Sequence, residues 1–128
     1  MLVKIVCKIP ALLISGIMWV LSSQSVLPTP KGILGFDKLQ HLLAYGVFAG
    51  TLGLWFSLKQ WKRSPFICMV WVIGIASAYG ISDELHQSFV PGRDCNVWDW
   101  LADTLGAIIG AGLVMVSARK WKVPPPAA

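Results

Sequence analysis

Three short stretches of this chain carry side chains able to do chemistry. The first is Asp37, His41 and Tyr45, spaced i, i+4 and i+8. On a helix that spacing stacks a carboxylate, an imidazole and a phenol along one face, over about 12 Å at roughly 1.5 Å per residue. The second runs from Tyr79 to Arg93: Tyr79, Asp83 and Gln87 recur at four residues, Gly80 and Glu84 do the same, and Arg93 follows the turn signal Pro91-Gly92. The third is Asp99, Asp103, Gly106 and Gly110, spaced 4, 3 and 4 on one helical stripe. An imidazole moves protons or ligates near neutral pH. Carboxylates accept hydrogen bonds or hold cations, and a guanidinium forks onto carboxylate or phosphate.

Each group also has a plainer reading. Asp37 suits the N-cap of a helix. His41, a turn deeper, is either a buried imidazole braced by Asp37 and Tyr45 or a ligand-binding histidine. Asp83 and Glu84 end a helix in solvent, or one of them faces the protein. For Arg93, an ion pair with one of the many nearby acids is favoured over a lipid phosphate. Gly106-x-x-x-Gly110 lets a neighbouring helix approach closely. Because Asp99 and Asp103 share that stripe, both are expected to face protein.

The elements that must position these groups are membrane helices. Charged residues make up 13% and hydrophobic ones 55%, against about 25% charged in a soluble domain. Apolar blocks cover residues 9–27, 39–58, 65–82 and 97–118. Each has about the length of one bilayer crossing, and backbone in lipid must satisfy itself by forming helix. The expected fold is all-α, a polytopic bundle of four transmembrane helices. Residues 1–118 form one domain with its motif-bearing core at 37–110, and 119–128 form a basic, Pro-rich tail. Lys4 and Lys8 before the first block also fit a cleaved signal, but a retained helix is favoured.

Lys4, Lys8, Lys59, Lys62, Arg63, Arg119, Lys120 and Lys122 map to one side, leaving Lys31, Lys38 and Arg93 on the other. Basic residues collect in cytoplasmic loops, so both termini are expected to be cytoplasmic. All six acids and both histidines fall at the opposite end. The scattered cations do not form a nucleic-acid surface. Three cysteines without CxxC spacing give no disulfide framework. No linear metal-ligand spacing is present, so no metal and no cofactor is expected.

Taken together, Asp37-Lys38-x-x-His41-x-x-x-Tyr45, Gly80-x-x-Asp83-Glu84-x-x-Gln87-x-Phe89-x-Pro91-x-Arg93 and Asp99-x-x-x-Asp103-x-x-Gly106-x-x-x-Gly110 resemble the VanZ-like family of small bacterial membrane proteins. The resemblance implies a multi-helix protein of the bacterial inner membrane. It also implies an association with susceptibility to the glycopeptide antibiotic teicoplanin, without a settled reaction, substrate or cofactor. The family commonly has Asn where this chain has Asp103, which speaks against an essential carboxylate there.

Three functions compete. In the favoured one, the outer cluster of Asp37, His41, Tyr45, Asp83, Glu84, Gln87, Arg93, Asp99 and Asp103 holds the headgroup of an envelope lipid or glycan. In the second, the chain is a membrane enzyme with His41 or Asp83 as general base, aided by an oxygen-ligated, weakly held divalent ion on the carboxylates; no GxSxG or HExxH motif supports it, so a non-enzyme is favoured. In the third, the polar groups merely fix helix register. Single substitutions would then lower folded yield rather than activity.

Overall fold

The computed structural model describes residues 5–25 and 35–121, and the fold is all-α among them. The helices are α1 (Ile9–Ser22), α2 (Phe36–Gly53), α3 (Leu58–Arg63), α4 (Pro65–Gln87) and α5 (Val97–Lys120). Prolines open α1 and α4, where a missing N–H costs nothing. Gly35 starts α2 at φ 79°, in the left-handed region that other residues avoid. The expected cap at Asp37 is therefore not formed: Asp37 sits inside the first turn, and no side chain caps the helix.

All four expected spans shift their bounds: α1 stops at Ser22 and α5 runs on to Lys120. α2 ends at Gly53, and the chain then turns into α3, a short helix that takes the last residue of the expected span and the basic connector after it. α3 begins with a capping box in which Ser57 and Gln60 satisfy each other's backbone N–H groups. α4 continues beyond Ser82 to Gln87, carrying Asp83, Glu84 and Gln87 as helical residues. The Pro-rich tail falls almost wholly outside the described residues.

α2 packs most extensively on α5. A Cβ at Gly106 would overlap the Leu42 carbonyl oxygen, and one at Gly110 would overlap that of Gly46. These glycines let the two backbones touch. Large and small residues are distributed inside out. α5 buries Asp99, Asp103, Gly106, Ala107, Gly110, Ala111 and Ala118, while Leu101, Leu105, Ile108, Ile109, Leu113 and Val116 are exposed. Small residues inside and large apolar ones outside are what a lipid solvent selects. α4 and α5 are long and apolar enough to cross a membrane. α2 has 18 residues, but Asp37, Lys38, Gln40 and His41 in its first two turns lower its hydropathy, and α1 has only 14 residues. By length and composition, two of the four expected crossings are thus supported.

The bundle has two unlike ends. At one, Lys8 lies 5.5 Å over the Trp55 ring, Trp61 Nε1 donates to the Gly53 carbonyl, and Lys62 donates to the Trp121 carbonyl. At the other, the start of α2, the end of α4 and the start of α5 meet. α1 docks there too: His86 stacks on Trp19 at 4.0 Å and hydrogen-bonds Ser23.

Candidate functional site

Helical spacing sets which residues of one helix share a face, and the α2–α5 crossing sets which faces meet. The Leu42–Gly106 approach brings His41 against Asp103, where Nδ1–H donates to Oδ1 at 2.9 Å. Asp103 is fully buried. Its other oxygen lies against Gly80 of α4, where a Cβ would stand 3.0 Å away. Gly80 is therefore glycine because the carboxylate occupies the space a side chain would need.

α4 supplies Asp83, Glu84 and Gln87, all buried. Asp83 Oδ2 accepts from Gln87 Nε2 at 3.2 Å and from the Tyr45 hydroxyl at 3.5 Å, the latter at the limit of a useful hydrogen bond. Glu84 Oε2 accepts the Asn96 backbone N–H at 2.7 Å, which pins the connector to α4. Asn96 caps α5 by accepting from the Trp98 N–H. Asp99 is held by Lys38, whose ammonium reaches Asp99 at 2.6 Å and Asp37 at 2.7 Å.

Three carboxylate oxygens are buried without a hydrogen-bond partner among the described residues: Asp83 Oδ1, Glu84 Oε1 and Asp103 Oδ2. Buried polar atoms are nearly always paired, so three orphans in one cluster are a defect unless something else meets them. A ligand that donates hydrogen bonds, or a cation, would complete them.

The structure thus brings together His41, Tyr45, Asp83, Glu84, Gln87, Asp99 and Asp103. Asp37 stands at the edge, exposed and paired with Lys38. Arg93 forms no ion pair among the described residues; its Nε donates to the Gln24 carbonyl at 3.2 Å. The reason is the Pro91-Gly92 turn, with Gly92 at φ 83°, after which Arg93 reaches back to the end of α1. Sequence reading gave no site role to Lys38 and Asn96, which bond two of the acids. It also missed a neighbouring relay in which Trp100 Nε1 donates to Ser77 Oγ and Ser77 meets Thr104. Asn96 was findable as an N-cap, since Asn before an apolar run is a helix-start signal. The expectation of no metal rested on linear spacing, which does not register that one ligand atom each of His41, Glu84 and Asp99 lies within 4.8 Å of the others. Each comes from a different helix, so no spacing rule could show it.

Residues 6–118 match the VanZ/LLP1 family, which takes in every residue of the cluster. The chain belongs to the VanZ/LLP1 family. Nothing among curated proteins or solved structures matches it. In this VanZ/LLP1 protein His41, Asp83, Glu84 and Asp103 lie on three helices that converge at one end of the bundle, while Phe89, Pro91 and Arg93 lie in the connector between α4 and α5. An apolar groove of about 730 Å³ runs along α2 and α5 from Leu42 and Gly106 to Trp121, and none of the acids lines it.

Proposed function

We propose that this VanZ/LLP1 protein is a four-helix integral protein of the bacterial cytoplasmic membrane that binds the headgroup of an envelope lipid or glycan. α1, α2, α4 and α5 are its crossings, both termini are cytoplasmic, and the acidic end faces outward. The observation that carries this reading is the set of three orphaned carboxylate oxygens in one buried cluster. A brace that only fixed helix register would satisfy its own members. This one leaves acceptors for hydroxyl or ammonium groups, which glycan and aminated headgroups carry. The apolar groove lined by Leu42, Gly106 and the residues below them supports a lipid, because an acyl chain there would lie in the exposed apolar belt. Arg93 gives its Nε–H to the Gln24 carbonyl, and its remaining guanidinium N–H groups are the donors it would offer a headgroup. The family's link to teicoplanin susceptibility fits a protein that alters access to an envelope precursor.

The test is mass spectrometry of lipids that co-purify with the wild-type protein and with Asp83→Asn and Glu84→Gln variants. Enrichment of one headgroup class by the wild type, lost in the variants at equal membrane abundance, is expected. A wild-type lipid profile identical to that of the bulk membrane would overturn the proposal.

A further inference from the structure

We propose that His41, Glu84 and Asp99 form a site for one divalent transition-metal ion of the zinc type. One ligand atom from each residue, an imidazole nitrogen or a carboxylate oxygen, already lies within 4.8 Å of the other two. Two ligands on tetrahedral zinc, each about 2.1 Å from it, stand about 3.4 Å apart, so closing the site takes donor approaches of up to about 1.4 Å.

Each ligand has a donor to give. The His41–Asp103 bond makes Nδ1 the protonated nitrogen and leaves the Nε2 lone pair for a metal. A carboxylate on the far nitrogen is the usual partner of a metal-binding histidine, fixing its tautomer and ring orientation. Glu84 uses Oε2 on the Asn96 N–H and keeps Oε1 buried with no hydrogen-bond partner among the described residues. Asp99 gives Oδ1 to Lys38, which leaves Oδ2. Charge points the same way. Asp83, Glu84, Asp99 and Asp103 are all buried, and among the described residues Lys38 is the one ammonium or guanidinium group paired with any of them, at Asp99. A divalent ion would neutralise acids that are otherwise costly to bury together.

The donor set chooses the class of metal. Magnesium and calcium take oxygen ligands, whereas one imidazole with two carboxylates suits zinc or manganese. Three protein ligands leave a coordination position open, as in sites where zinc meets a substrate. That position would accept a headgroup oxygen, a consequence that rests on the headgroup reading; the metal site itself does not.

The experiment uses the full chain in detergent, stripped with chelator, freed of lipid, and titrated with Zn²⁺ against a chromophoric competitor. One equivalent per chain is expected, undisturbed by excess Mg²⁺. Affinity should fall at least 100-fold in Glu84→Gln and His41→Ala, and by about 10–100-fold in Asp103→Asn, which alters only the histidine's partner. Because His41→Ala could fail to fold, X-ray absorption on the zinc-loaded wild type gives an independent readout. A nitrogen and oxygen shell with imidazole scattering is expected. Less than stoichiometric zinc, unchanged affinity in folded Glu84→Gln, or a sulfur shell from Cys7 or Cys95 would each overturn the site. Lipid is absent throughout, so a negative result leaves the headgroup proposal to its own test.

Discussion

Replacing Gly106 by Ala should damage the fold and the site together. The added Cβ would overlap the Leu42 carbonyl oxygen and stand 3.1 Å from the Gly46 nitrogen. Both atoms are backbone, so no side chain can rotate away. α2 must retreat by about 1 Å to restore ordinary contact distances. Overpacking of this kind costs about 1–3 kcal/mol, offset by up to about 1 kcal/mol from the better helix propensity of Ala. A net loss of about 1–2 kcal/mol is expected. Leu42 follows His41 directly, so the same retreat would stretch the 2.9 Å His41–Asp103 bond past hydrogen-bonding range. The control is Gly74→Ala on α4, where a Cβ would meet nothing within 4 Å and only the propensity gain should remain. Reversible unfolding of both variants in mixed micelles gives the comparison. Equal stability of Gly106→Ala and wild type would refute the close α2–α5 crossing as the element that positions the site.

Two further predictions concern α1 and orientation. Tyr79→Phe removes the hydroxyl that donates to the Ser15 carbonyl at 2.6 Å and should cost about 1 kcal/mol, read by the same unfolding assay; no change would mean that α1 is not held there. Cys95 is exposed in the connector before α5. In a Cys7→Ala background, a membrane-impermeant maleimide should label it in intact cells, and should label Lys59→Cys (with Cys95→Ala) only after permeabilisation. The reverse pattern would invert the proposed topology.

What sequence made legible was whatever lies along one helix. The Asp99–Asp103–Gly106–Gly110 stripe needs only a period of 3.6, and the structure buries all four against neighbouring helices. His41 and Tyr45 share a face for the same reason, their rings parallel within 12°. Partners across helices were not legible, because they depend on crossing geometry. Nothing in the chain's order says that His41 meets Asp103 and not Asp37, or that Lys38 bridges to Asp99. Arg93 shows the converse error: abundant acids made an ion pair plausible, but a glycine turn aimed the side chain at a carbonyl. α3 was missed despite its signal, since Ser57-x-x-Gln60 is a capping box that an apolar-block reading passes over.

The claim on which the account rests is that the buried acids exist to hold something, and Glu84→Gln tests it most directly. Gln keeps an oxygen for the Asn96 N–H and removes a buried charge with an orphaned oxygen. Measured on lipid-free, chelator-treated protein, its thermal unfolding should match or exceed that of wild type, while headgroup enrichment in the membrane-purified protein is lost. A variant that unfolds well below wild type and still enriches the same lipid would contradict the account, and would make Glu84 a brace for the α4–α5 connector.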